Sequence, residues 1–70
     1  MKSYSSKEIL DVLQDDGWVF KNQRGSHVQM IHPAKPGKVT VPHPRKDLDP
    51  KTVRRIVNQA GINPGELQGG

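Results

Sequence analysis

The 70-residue sequence contains no cysteine, and its aromatic residues are limited to one Trp, one Tyr and one Phe. No disulfide can therefore reinforce a core that supplies only about 3–5 kcal/mol of stability in a domain of this size. The absence of cysteine fits a reducing compartment. No apolar run approaches the roughly 20 residues that span a bilayer, and the first residues lack the apolar segment of a secretory signal. We expect a cytoplasmic protein that makes no contact with a membrane.

Positive charge is concentrated in one part of the chain. Residues 1–16 hold two lysines against four acidic residues, a net charge of −2. Residues 21–55 hold nine Lys and Arg residues against two aspartates, a net charge of +7. Such asymmetry is typical of small domains that bind polyphosphates, although a basic surface also serves solubility. We therefore favour nucleic acid as the partner.

A helix is predicted near each end of the domain. Ser5 and Glu8 have the spacing of a capping box, and the apolar residues that follow recur at helical spacing, which predicts a helix over residues 6–15. The second helix has Asp49 as its expected N-cap and Pro50 as its first residue. Its expected buried positions are Val53, Ile56, Val57 and Ala60, and its expected C-cap is Gly61.

Three segments rich in β-branched and aromatic residues lie between the helices, over residues 18–22, 27–32 and 38–42. Alternation along these strands predicts a core face and an opposite face. The core face is expected to carry Trp18, Phe20, Val28, Met30, Val39 and Val41. The opposite face is expected to carry Lys21, Gln23, His27, Gln29, Lys38 and Thr40, with Val19 and Ile31 as apolar exceptions.

The resulting element order is α-β-β-β-α. Both helices need the same sheet face for burial, so the predicted fold class is α+β, a two-layer sandwich with two helices on one face of a three-stranded antiparallel sheet. We expect residues 1–70 to form one domain, with its core over about residues 5–62 and a flexible tail over residues 63–70.

His27 is the strongest candidate for a catalytic residue. It follows a turn at Gly25, stands on a predicted strand and is surrounded by basic residues. Histidine can take and give a proton near neutral pH, and beside a bound polyanion that ability is what metal-independent RNA cleavage requires. The expected phosphate contacts, all loop or sheet-face cations, are Lys21, Arg24, Lys38, Arg45 and Lys46. For Arg54 and Arg55 on the second helix, a plain surface role is as good an interpretation.

The other two histidines have less distinctive settings. His32 has the parity of the core face and precedes Pro33, so a buried or capping role is favoured. His43 lies between two prolines, where a contact with RNA backbone and a structural role are equally good interpretations. With no cysteine and with histidine spacings of five and eleven, the sequence matches no closed zinc site. The acidic residues do not cluster as in a metal-dependent nuclease. We expect no metal and no cofactor.

Several of these motifs together resemble the HicA family of toxins, small mRNA interferases of type II toxin–antitoxin modules. The matching segments are residues 6–13, Gly17-Trp18, Gly25-Ser26-His27, His32-Pro33, residues 39–44, residues 46–48 and residues 52–62. The resemblance covers roughly residues 5–62. It implies a fold similar to double-stranded RNA-binding domains, a single catalytic histidine at His27, mRNA as the substrate and inhibition by a HicB-type antitoxin.

The predicted reaction is attack of an RNA 2′-hydroxyl on its own phosphate, with His27 moving a proton and nearby cations stabilising the charge on phosphorus. Water, Lys21 or a second histidine would protonate the leaving oxygen. Two alternatives remain open at this point. A non-catalytic RNA-binding module would use the same basic surface to bind duplex RNA by shape, and a pure interaction protein would dock an acidic partner there.

Overall fold

A computed structural model describes residues 3–62 of the chain. Its elements follow the predicted order: α1 spans Ser6–Asp15, β1 Val19–Arg24, β2 His27–Ile31, β3 Lys38–Pro42 and α2 Pro50–Ala60. The three strands form one antiparallel sheet in the order β1-β2-β3. This confirms the α+β fold class. The tail predicted over residues 63–70 lies outside the described residues.

Local sequence signals account for the ends of both helices. The Ser5 hydroxyl accepts from the backbone N–H of Glu8 and the Glu8 carboxylate accepts from the N–H of Ser5, so the predicted capping box is formed. In α2 the Asp49 carboxylate accepts from the backbone N–H of Lys51. Gly61 ends α2 with φ +67°, a left-handed conformation that favours glycine.

One apolar core lies between the helices and the sheet. It comprises Ile9, Leu13, Trp18, Val28, Met30, Val39, Val41, Leu48, Val53, Ile56, Val57, Ala60 and Ile62. The helices pack mainly against β3. Every predicted buried position of α2 is confirmed, as are five of the six predicted sheet positions.

Phe20 is the exception, because its side chain is 56% exposed although it was predicted to be buried. Phe20 lies opposite Met30, which is buried, so it belongs to the predicted face of the sheet. However, β1 is an edge strand, and the helices cover the sheet mainly at β3. The alternation was therefore predicted correctly, but the extent of the helical layer was not.

Candidate functional site

The face of the sheet away from the helices carries three rows of residues across its strands. The register places Arg24, His27 and Pro42 in one row, Asn22, Gln29 and Thr40 in the next, and Val19, Ile31 and Lys38 in the last. Directly opposed residues in antiparallel strands share a face, so each row presents its side chains together. We call this surface the open face. His27 lies at the end of the open face nearest the β1–β2 turn.

A β-bulge in β1 decides which residue faces His27. The register shifts between Phe20 and Asn22, so Lys21 is an extra residue with no partner in β2. After the bulge, Gln23 lies opposite the buried Val28 and Arg24 lies opposite His27. The predicted place of Gln23 on the open face is therefore wrong, because simple alternation is interrupted. The consequence for the site is a guanidinium directly across from the imidazole.

The turn before His27 is a two-residue hairpin connection of Gly25 and Ser26. Gly25 has φ +56°, as two-residue hairpins with glycine at the first position require. The side-chain amide of Gln23 donates to the Gly25 carbonyl at 3.1 Å. His27 therefore begins its strand on a turn whose backbone is fixed, and the side chain itself is exposed.

The loop between β3 and α2 lies against the same end of the sheet. The backbone N–H of His43 donates to the Ser26 carbonyl at 2.8 Å. This contact places Arg45 and Lys46, both exposed, in a loop next to the His27 turn. Of the predicted phosphate contacts, Arg24 therefore lies at the His27 end of the open face, and Arg45 and Lys46 lie in the loop that meets the turn at His43.

Two other predicted cations lie farther away. Lys38 is opposite Ile31, four residues along β2 from His27, which corresponds to about 13 Å along the strand. It shares the open face but not the His27 end. Lys21 is the exposed residue of the bulge. Neither cation is therefore paired directly with His27 across the sheet.

His43 is held by a buried hydroxyl on α1, which sequence reasoning missed. Ser6 is 1% exposed, and its Oγ lies 2.7 Å from His43 Nδ1, 2.9 Å from the backbone nitrogen of Arg45 and 3.2 Å from the Arg45 carbonyl oxygen. A hydroxyl offers one donor and two acceptor positions. All three contacts are satisfied together only when His43 Nδ1 and Arg45 N–H donate to Ser6 and Ser6 donates to the carbonyl. His43 therefore anchors the loop to α1.

His32 has the structural role that its position predicted. The backbone N–H of Ala34 donates to His32 Nδ1 at 2.9 Å, so Nδ1 carries no proton and Nε2 donates to the Asp16 carbonyl at 2.8 Å. Its ring meets Trp18 edge to face with centroids 5.2 Å apart. The fit extends to Gly17, which has φ +104° and where an added Cβ would lie 2.7 Å from His32 Nε2. His32 therefore has a structural role, because both of its ring nitrogens are hydrogen-bonded and its ring packs against Trp18.

The remaining chemistry of the described residues is limited. Over residues 3–62, no three His, Asp or Glu side chains come together where an ion could be held. Among the same residues, no helix is both long and apolar enough to cross a membrane. Within this range the open face around His27 is the surface on which a histidine, an arginine directly across from it and a basic loop come together.

Comparison with known proteins gives the same family as the sequence motifs. A search of curated protein sequences finds no match. Among solved structures, a chain of a toxin–antitoxin complex from Streptococcus pneumoniae has a TM-score of 0.72 and 30% identity, covering 83% of this chain and 97% of that one. A chain of the HicA3 and HicB3 toxin–antitoxin complex has a TM-score of 0.69 and 34% identity, covering 86% and 97%. The family model for the HicA toxin of bacterial toxin–antitoxin systems matches residues 6–62. The chain therefore belongs to the HicA toxin family.

Proposed function

We propose that this HicA toxin is a metal-independent endoribonuclease that cleaves mRNA through His27 and thereby inhibits translation. The observation that carries the proposal is the row Arg24–His27 on the open face. An exposed imidazole stands there directly across from a guanidinium, and a loop with two more cations lies beside it. This arrangement supplies a proton acceptor and positive charge at one point on a surface that RNA can reach.

In the proposed reaction His27 acts as the general base. Its imidazole takes the proton of an RNA 2′-hydroxyl while that oxygen attacks the adjacent phosphorus. The bond from phosphorus to the 5′-oxygen then breaks, which leaves a 2′,3′-cyclic phosphate on one fragment and a 5′-hydroxyl on the other. A neutral imidazole at physiological pH is suited to this task.

Arg24 is the group best placed to stabilise charge on the reacting phosphate. A guanidinium can bind two phosphate oxygens at once, and its positive charge is kept at every working pH. Because Arg24 and His27 are directly opposed, one phosphate can contact both. Arg45 and Lys46 in the neighbouring loop would hold the flanking phosphates. Removing a charge-stabilising donor of this kind usually costs roughly 10²–10³-fold in kcat.

The leaving 5′-oxygen needs a proton, and the sequence left three sources open. A second histidine is disfavoured because the His43 ring is bound to Ser6, and the His32 ring is bound to Asp16 and Ala34. Water and Lys21 remain. We favour water, because the open face is not covered by any described element.

The proposal includes inhibition by a HicB-type antitoxin that covers the open face. The two solved structures compared above are toxin–antitoxin complexes. On this chain, Val19 and Ile31 lie opposite each other on the open face and are 50% and 38% exposed. Apolar side chains exposed on the same face as the Arg24–His27 row suit a protein partner better than they suit RNA phosphates.

The test is cleavage of a labelled RNA in excess EDTA by the wild type, His27→Ala and Gln29→Ala. Gln29 is the matched control, because it is the next residue of β2 on the same face. We expect the wild type and Gln29→Ala to produce 2′,3′-cyclic phosphate ends. His27→Ala should lose at least about 10²-fold in rate, with an unchanged circular dichroism spectrum.

Three results would contradict the proposal. If His27→Ala cuts RNA as fast as the wild type, the catalytic role of His27 is wrong. If no variant cuts RNA but all bind it equally, the protein is a binding module without catalysis. A requirement for a divalent cation, shown by loss of wild-type cleavage in EDTA, would contradict the metal-independent mechanism.

A further inference from the structure

The exposed side of α2 carries a second basic surface that the reaction at His27 does not use. It is lined by Lys51, Arg54, Arg55, Asn58 and Gln59. All five residues are exposed. The buried positions of α2 lie on the other side of the helix, against the sheet. We call this surface the α2 stripe.

The charge of the α2 stripe is not neutralised within the described part of the chain. The ion pairs found there are Lys7–Asp11 and Lys35–Asp16, and neither involves α2. Asp49, the nearest acid on the helix, is the N-cap and accepts from the backbone N–H of Lys51. The other two residues of the stripe are neutral amides. Three cations thus share one helix surface, and none of them forms an ion pair with a described carboxylate.

The stripe and His27 lie on opposite sides of the molecule. His27 is on the open face of the sheet, whereas α2 packs on the covered face. The body of a helix, about 10 Å in diameter, separates the stripe from the strands. A fragment of a few nucleotides bound at His27 cannot reach it, but a long RNA can.

We infer that the α2 stripe binds the phosphate backbone of RNA at a stretch remote from the cleaved bond. Lys51 lies one helical turn, about 5.4 Å along the axis, from Arg54 and Arg55, so these cations can contact successive phosphates of one strand. The amides add hydrogen-bond donors for phosphate and sugar oxygens. RNA is favoured over an acidic protein because the stripe offers only cations and amides, with no apolar side chain for a protein partner to bury. The inference rests on the proposed function only in taking RNA as the substrate.

The first experiment measures cleavage of two substrates, one of four nucleotides and one of about 60 nucleotides, by the wild type and by the variant Lys51→Gln/Arg54→Gln/Arg55→Gln. The short substrate should be cleaved with unchanged kcat and KM, because it cannot reach α2. For the long RNA, kcat should stay the same and KM should rise about tenfold. The slope of log KM for the long RNA against log salt concentration should fall by about 2. Each single-strand phosphate contact contributes roughly 0.7 to this slope, and three contacts are lost.

A single substitution in each helix provides the matched control. Arg54→Gln on α2 and Lys7→Gln on α1 each remove one positive charge from an exposed helix surface. Only Arg54→Gln should raise KM for the long RNA. Equal effects of the two variants would mean that net charge, not the stripe, controls binding, and this would overturn the inference.

The second experiment measures binding of the long RNA in a His27→Ala background, so that it does not depend on catalysis. If the wild type cleaves neither substrate, the proposed function fails. The binding measurement still shows whether the α2 stripe binds RNA. Unchanged binding after the triple substitution would overturn the inference. If the triple variant binds RNA normally but no longer binds the antitoxin, the stripe binds that protein instead, and the inference is likewise wrong.

Discussion

The covered face and the open face of the sheet are made by alternate residues of the same three strands, yet they differ in almost every property. On the covered face, Val28, Met30, Val39 and Val41 are buried beneath the helices. On the open face, His27 and Arg24 are exposed, and Gln29 and Thr40 are half-buried. We therefore expect stability to depend on the covered face of the sheet and the proposed activity to depend on the open face. A substitution should affect the free energy of unfolding or the activity according to its side.

The largest contrast is expected between two isoleucines. Ile56 is fully buried against the sheet and Ile31 is 38% exposed on the open face. Ile56→Ala should lower the free energy of unfolding by about 2–5 kcal/mol, because it leaves a cavity in the core. Ile31→Ala should cost less than about 1 kcal/mol. Thermal unfolding followed by circular dichroism measures both, and equal losses would contradict the division between the faces.

A smaller loss is expected at Ser6, on the covered side. Ser6→Ala removes the partner of the Arg45 N–H and of His43 Nδ1, two groups in a partly buried loop. Leaving such groups unsatisfied should cost about 1–3 kcal/mol. Ser26→Ala, at the exposed turn, is the control and should change stability by less than about 0.5 kcal/mol. Urea unfolding followed by Trp18 fluorescence gives both values, and a neutral Ser6→Ala would show that the loop does not need this anchor.

Phe20 tests where the covered face ends. Replacing a buried phenylalanine with alanine typically costs about 3–5 kcal/mol. Since Phe20 is 56% exposed at the edge strand, we expect Phe20→Ala to cost less than about 1 kcal/mol. The same urea unfolding experiment measures this value. A loss as large as that of Ile56→Ala would mean that β1 is covered more fully in solution than the helices of the described fold allow.

The smallest expected effect is a pH dependence at the end of α1. The Lys35 ammonium donates to the Asp16 carboxylate at 2.5 Å, and this hydrogen bond lowers the pKa of Asp16. A carboxyl whose pKa is lower in the folded state contributes stability above its unfolded pKa of about 3.9 and loses it as pH falls through the folded pKa. The contribution is small because both side chains are partly exposed.

Urea unfolding of the wild type and Asp16→Asn between pH 6 and pH 2 measures this contribution. The stability difference between them should shrink as the pH falls below about 4. Lys35→Gln removes the donor and should reduce the same pH-dependent part. A difference that stays constant with pH would show that the ion pair does not stabilise the fold.

Local signals were sufficient to predict all five elements. The capping box at Ser5, the Asp49-Pro50 helix start and the alternation of β2 and β3 depend on residues close in sequence, and each is present in the structure. What the sequence did not reveal depends on distant contacts. The burial of Ser6 comes from a loop 39 residues away, and the exposure of Phe20 comes from where the helices lie across the sheet. The residue facing His27 depends on a bulge that no glycine or proline marks.

That bulge has a consequence for how the site tolerates change in chain length. Because Lys21 is the unpaired residue, deleting it would leave Arg24 opposite His27 and Gln23 opposite Val28, as they are now. One position of β1 can thus lose a residue without altering any pairing that follows it. The Gly25-Ser26 turn contains no unpaired strand residue, so a deletion there would shift every pair of the hairpin. We therefore expect a deletion at the bulge to keep the Arg24–His27 pair, whereas a deletion in the turn would lose it.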